Sequence, residues 1–110
     1  MFEFVTAREL YDIVLSDLHA QKDYLEYVEI EGWVRTNRNN GHIGFIELND
    51  GTYFRNVQIV YSKDEKNFEL YSSLNTGDAI NVMGKLKITE GGKQPFEIAA
   101  NEIKLLAKCA

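Results

Sequence analysis

Three residues within one stretch of this chain have side chains suited to the same kind of chemistry: Arg38, Phe45 and Gln58, all inside GWVRTNRNNGHIGFIELNDGTYFRNVQIVY (32–61). A phenylalanine ring offers a flat apolar face on which an unstacked base can lie, a contact worth about 1–3 kcal/mol per base. A glutamine amide carries a donor and an acceptor on one planar group and can meet a base edge that presents both. An arginine guanidinium is a planar fork for a phosphate or a base edge. Together they describe a surface that reads bases in a single-stranded loop of RNA, provided the chain holds them on one side.

Strand alternation supplies that side. The stretch reads as three strands, 28–36, 43–49 and 56–61, with turn chemistry at Asn39-Asn40-Gly41 and Asn49-Asp50-Gly51. In the second strand Gly44, Ile46 and Leu48 share the core face, which leaves Phe45 beside Glu47, a residue that favours water. In the third, Val57, Ile59 and Tyr61 alternate with Gln58 and Val60, so Gln58 stands away from the core. In the first, Val28, Ile30, Gly32 and Val34 oppose Glu29, Glu31, Trp33 and Arg35. Gly32 in mid-strand marks a bend or bulge, and a tryptophan just beyond it is expected in the core.

The flanks complete the layout. Thr6-Ala-Arg-Glu9 is a capping box for a helix from Ala7 to near His19, with Leu10, Ile13, Val14 and Leu18 on its apolar stripe and Tyr11 and Leu15 beside it. This helix is expected to dock as an N-terminal extension that buries barrel surface. Residues 62–74 read as a second helix capped by Ser62 or Asp64 and ended by Gly77. A fourth strand spans 79–88, a fifth opens at Pro95, and Ile103, Leu105 and Leu106 form a last apolar segment before a loose end. The expected domains are a helical extension over 1–27 and a binding domain over 28–110.

Composition narrows the function classes. The chain has 110 residues, 45% hydrophobic and 26% charged, sufficient for one domain with a modest core. The single cysteine, Cys109, excludes an internal disulfide framework and a cysteine-rich zinc site. His19 and His42, far apart in sequence, read as solvated surface residues; no catalytic residue and no metal ligand set emerges. No apolar run reaches membrane-spanning length and no signal peptide opens the chain, so a cytoplasmic protein is expected. The net charge of −5 is unevenly distributed. Residues 1–31 hold eight acids against Arg8 and Lys22, a net of −6; residues 32–110 hold ten bases against nine acids, a net of +1. Phosphate attraction alone would bind weakly, so an RNA contact must lean on stacking and hydrogen bonds.

Helix, three strands, helix, two strands is the layout of the OB-fold, a mainly β, five-stranded Greek-key barrel that binds oligonucleotides on its second and third strands and on two loops, here 38–42 and 89–94. Within that layout, Gly32-Trp33-Val34-Arg35, Arg38, Phe45-Ile46 and Val57-Gln58-Ile59-Val60 resemble the anticodon-binding domain of class IIb aminoacyl-tRNA synthetases, with Gly77-Asp78, Val82, Gly84 and Glu97-Ile98 continuing the match. Gly-Trp-Val-Arg-Thr (32–36), Phe-Ile-Glu-Leu-Asn-Asp-Gly (45–51) and Asn56-Val57-Gln58 are similar to the asparaginyl members in particular. The resemblance implies that Phe45 stacks on the central anticodon base, a uridine, and that Gln58 hydrogen-bonds it. It further implies that Arg38 contacts the anticodon loop and that Glu97 helps read a neighbouring base. Lys87 and Arg35 complete the implied nucleic-acid-binding set. The implied partner is tRNA, and the implied parent is a homodimeric ligase that attaches asparagine to tRNA using ATP and Mg²⁺ in a separate catalytic domain. This chain has no room for that domain's motifs, so it is expected to be an excised domain or a stand-alone relative with no cofactor of its own. Two other readings fit the same layout: a generic single-strand-binding OB module, and a protein-interaction domain derived from one.

Overall fold

The computed structural model describes residues 2–15, 26–64, 66–89 and 94–109. Eight elements follow one another: β1 (Glu3–Phe4), α1 (Ala7–Leu15), β2 (Tyr27–Asn39), β3 (Ile43–Asn49), β4 (Val57–Ser62), α2 (Phe68–Ser72), β5 (Ala79–Ile88) and β6 (Phe96–Ala107). The sheet runs β1-β2-β3-β4-β6-β5, and β2 pairs again with β5, which closes the last five strands into a barrel. Pairing is antiparallel except β1–β2 and β4–β6. This is the expected OB-fold, with β1 added at its rim.

β2 carries the closure. Its first half, Tyr27 to Trp33, pairs with β5, and its second half, Trp33 to Asn39, with β3. A strand shared by two neighbours must coil steeply, and Gly32 lies at the crossing. A Cβ there would sit 2.6 Å from the Asn49 carbonyl oxygen, too close for any other residue without displacing β3. The register shift falls at Arg35, between Val34 and Thr36, and not at Gly32. Alternation therefore runs unbroken from Val28 through Ile30 to Val34, all fully buried, and it turns Trp33 outward. The expectation of a core tryptophan fails for this reason: Trp33 is 52% exposed.

The strand interior is apolar, filled by Ile30, Ile46, Leu48, Ile59, Ile80 and Ile98, each wholly buried. β3 and β5 have the expected bounds, and β4 is shifted by one residue. β6 departs further, because Ile103 to Leu106 continue the strand opened at Phe96. Its end is also tied down. Ala107 pairs with Ala79, and the Cys109 N–H donates to Asp78 Oδ1 at 2.9 Å. The expected loose end was wrong for this reason.

The second helix is short. Only Phe68–Ser72 is helical, after turns at 63–64 and 66–67; Ser62 Oγ accepts from the Asp64 N–H in the first of these and caps no helix. Gly77, with φ of 93°, belongs to the turn into β5 and does not terminate the helix. The helix is held by side chains. Asn37 Nδ2 donates to the Tyr71 and Leu74 carbonyls, both at 2.9 Å, and Tyr61 donates its hydroxyl to Asn37 Oδ1 at 2.7 Å.

At the other end of the barrel, α1 forms behind its capping box: Thr6 N–H to Glu9 Oε1 at 2.9 Å and Glu9 N–H to Thr6 Oγ1 at 3.2 Å. Its next amides are met by the β3–β4 connection, Ala7 by Asp50 Oδ2 at 2.8 Å and Arg8 by Thr52 Oγ1 at 3.1 Å. All the orphan donors at this helix start thus have partners. Leu10, Tyr11 and Val14 face the barrel. Tyr11 is wholly buried and not beside the stripe: it stacks on Tyr53, meets Phe96 edge-on and donates to the Asn56 carbonyl. Burial raises its pKa above the usual tyrosine value, against the nearby Arg55. Leu18 and the rest of the expected helix lie outside the described residues.

Two outcomes test this packing. A Cβ at Gly44 would fall 1.9 Å from the Tyr61 ring. Gly44→Ala is expected to lower stability by about 1–3 kcal/mol or more in urea unfolding, as overpacking does. Asp78 gives a pH signature. Its carboxylate accepts from the Asn75 and Cys109 N–H groups, which hold its pKa below the ordinary value. Its contribution is therefore complete above the unfolded-state value of about 4 and is lost as pH falls through the lower folded value. Asp78→Asn is expected to be less stable than wild type at neutral pH, with the gap closing as pH drops below about 4.

Candidate nucleic-acid interface

Inside and outside alternate along β2, β3 and β4, so the buried set determines the exposed one. Gly44, Ile46 and Leu48 are buried on β3, as are Val57, Ile59 and Tyr61 on β4. Phe45 and Gln58 are consequently half-exposed on the outer surface. Arg38 pairs with Phe45, Phe45 with Val60, and Glu47 with Gln58. Directly paired residues on antiparallel strands project to the same side, and diagonal neighbours remain within side-chain reach. Arg38, Phe45 and Gln58 thus share one face, and with Asn39 and Asn40 they line a single shallow pocket of about 300 Å³.

In sequence the two asparagines read as turn chemistry within the expected binding loop 38–42. Asn39 Oδ1 accepts from the Gly41 N–H at 3.0 Å, and Asn40 Oδ1 accepts from the His42 and Ile43 N–H groups at 2.9 Å each. With the oxygens held in the turn, the amide nitrogens are the donors that these residues offer to a ligand. The sequence signal existed, since Asn39-Asn40-Gly41 adjoins Arg38, but turn formation is sufficient to explain it.

Glu97 comes to the same face from β6. Gln58 Nε2 donates to Glu97 Oε1 at 3.4 Å. A carboxylate only accepts, so the amide nitrogen of Gln58 faces Glu97 and its oxygen faces away. Lys87 is exposed one strand further along, paired with Glu97. Arg35 is exposed at the β2 bulge, and its carbonyl accepts from Thr76 Oγ1 at 3.2 Å. Neither Lys87 nor Arg35 lines the pocket. Glu47 is half-buried and accepts from Asn56 Nδ2 at 3.0 Å, so it meets a partner rather than bulk water alone. The loop at 89–94 lies outside the described residues except for Thr89 and Gln94.

The surface can hold one planar, polar-edged group between a ring, an amide and a guanidinium. It mixes Arg38 with Glu47 and Glu97, so its long-range pull on a polyanion is small. Among the described residues no group of three or more His, Cys, Asp or Glu is arranged to hold a metal ion. No helix among them is long and apolar enough to cross a membrane.

Comparisons with known proteins bear on the fold and the family. The chain is 50% identical over 80 residues to an asparagine–tRNA ligase of Alkaliphilus metalliredigens, covering 73% of this chain and 17% of that protein. It is 46% identical over 81 residues to an asparagine–tRNA ligase of Clostridium novyi, covering 74% and 18%. It therefore spans less than a fifth of the length of these curated relatives. Among solved structures, asparaginyl-tRNA synthetase from Pyrococcus horikoshii superposes with a TM-score of 0.67 at 26% identity, over 76% of this chain and 20% of that one. Residues 28–106 match the tRNA anti-codon family, described as an OB-fold nucleic acid binding domain, and this chain belongs to that family.

Proposed function

We propose that this chain is the anticodon-binding part of an asparagine–tRNA ligase and that it reads the central anticodon base, a uridine. The observation that carries the reading is the convergence of Arg38, Phe45 and Gln58 on one pocket. Phe45 supplies the face on which the unstacked base lies. Gln58 meets its edge: the free amide oxygen accepts from the uracil imino group, and the second amide hydrogen donates to a flanking carbonyl. Arg38, at the end of β2, holds the loop through a phosphate or a base edge. Glu97 stands beside Gln58 on the neighbouring strand, Lys87 lies toward an adjacent base, and Arg35 adds charge at the rim.

In the whole ligase, asparagine would be activated with ATP and Mg²⁺ and passed to tRNA, in a subunit that pairs with a second copy. That chemistry would belong to the rest of the enzyme. This domain contributes tRNA identity, and with little excess positive charge it discriminates more than it attracts.

Binding of an anticodon stem-loop RNA with a central uridine tests the reading. Phe45→Ala is expected to weaken it by about 1–3 kcal/mol, the value of one stacked base, while the urea midpoint changes little. A large loss of stability with unchanged affinity would make Phe45 a packing residue instead. Equal affinity for every central base would make the domain a generic single-strand binder. Arg38→Ala separates its two roles: loss of a phosphate contact lowers the slope of log K against log salt by about 0.7, whereas loss of a base-edge contact lowers affinity at constant slope.

A further inference from the structure

Gln58 is a two-way group. Rotated by half a turn about its last bond, its amide exchanges donor and acceptor with almost no change of shape. That symmetry matters to a base held flat against Phe45. At adjacent edge positions uracil presents a carbonyl acceptor and then an imino donor, whereas cytosine presents an amino donor and then a ring-nitrogen acceptor. In one orientation the amide complements uracil, and in the other it complements cytosine equally well. A ring and an unconstrained glutamine would therefore accept either pyrimidine.

Glu97 removes this freedom. It stands on β6 beside β4, which pair in parallel at Ile59–Ile98 and Val60–Ala99. That pairing brings the side chains of Gln58 and Glu97 together on the outer face, with Nε2 3.4 Å from Oε1. The flipped amide would lose this bond and aim its oxygen at a carboxylate, an acceptor against an acceptor. Glu97 has a defined place in turn, since its β6 position pairs with Lys87 on β5.

We propose that Glu97 is the specificity-determining positioning residue of this site: it locks the Gln58 amide in the orientation that accepts uridine and refuses cytidine. The inference rests on the function proposed above and adds to it. It assigns uridine–cytidine discrimination to a pair of side chains, of which only one touches the base.

The test uses the 110-residue chain and stem-loop RNAs that differ only in a central U or C, or only at the adjacent base, with affinities measured by fluorescence anisotropy. Wild type is expected to favour U. Glu97→Gln keeps the shape and lets residue 97 either donate or accept, so both Gln58 orientations become available. Its U-to-C preference is expected to fall by about tenfold or more, chiefly through tighter binding of the C loop. A purely structural role for Glu97 would weaken both RNAs alike and leave their ratio unchanged, which overturns the inference. Direct reading of an adjacent base by Glu97 would also overturn it: preference would then change at the neighbouring position and not at the central one. Glu97→Ala, which offers no partner at all, should lower the ratio as well; retention of the wild-type ratio by both variants overturns the proposal. If wild type itself does not distinguish U from C, the proposed function fails first, so the two failures are told apart.

Discussion

The hydrogen bond from Tyr61 to Asn37 organises this domain. Tyr61 is wholly buried and Asn37 half-buried, so an unmet hydroxyl there would cost about 1–3 kcal/mol, and the bond joins elements distant in sequence. Tyr61 on β4 lies against Gly44 on β3, where no Cβ could fit. Its hydroxyl reaches Asn37 on β2, and Asn37 donates its amide hydrogens to the carbonyls of Tyr71 in α2 and Leu74 just after it. The neighbouring Tyr71 ring meets Tyr61 edge-on, and its hydroxyl accepts from the Ile103 N–H on β6 at 3.2 Å. Three strands, the short helix and the last strand are referenced to this one cluster, and every polar atom named in it has a partner. Such satisfied buried networks favour one arrangement over near alternatives.

The outer face inherits that definition. Asn37, Gly44 and Tyr61 point inward, and one residue away on each strand Arg38, Phe45 and Val60 point outward. Side-chain direction in a strand repeats every two residues, so a one-residue slip would exchange the two sets. A slip would place Phe45 in the space of Gly44, under the Tyr61 ring. The position of the candidate binding residues is thus a consequence of what lies beneath them. This also explains why Phe45 and Gln58 could be placed on one face from sequence. The apolar alternation of β3 and β4 is clean, and β3 and β5 were legible to the residue. What was not legible depended on partners distant in the chain. Trp33 faces outward because the β2 bulge falls at Arg35, a matter of pairing with β3. The second helix starts only at Phe68, after turns at 63–64 and 66–67, and its end is met by Asn37 from β2. The C-terminal end is held because Asp78 lies across from it. The Gln58–Glu97 contact required the parallel β4–β6 pairing, which no local pattern reveals.

The N-terminal segment has an analogous role at the opposite end. β1 adds to the rim beside β2, and the first amides of α1 donate to Asp50 and Thr52 in the connection between β3 and β4. Asp50 Oδ1 in turn accepts from the Thr52 N–H and hydroxyl, and Asn49 links to Asn56 across the same connection. A connection of this length would otherwise leave the ends of both strands free to move. With α1 docked, the two strands that carry Phe45 and Gln58 are held at both ends, by Tyr61 below and by the helix above.

That rigidity matters because the candidate surface has so little charge to work with. A basic groove can tolerate imprecise placement, since Coulomb attraction changes slowly with distance. Stacking and bidentate hydrogen bonding cannot: their strength depends on the plane of a ring and the direction of an amide. Each freedom that binding must remove also subtracts from affinity, by about 0.5–1.5 kcal/mol for a mobile side chain. Phe45 stands on a strand fixed from inside, and Gln58 already has one amide hydrogen engaged by Glu97. A site that relies on shape and edge chemistry gains most from such preorganisation. The N-terminal segment adds to that order, since the first amides of α1 donate to Asp50 and Thr52, between the two strands that carry Phe45 and Gln58.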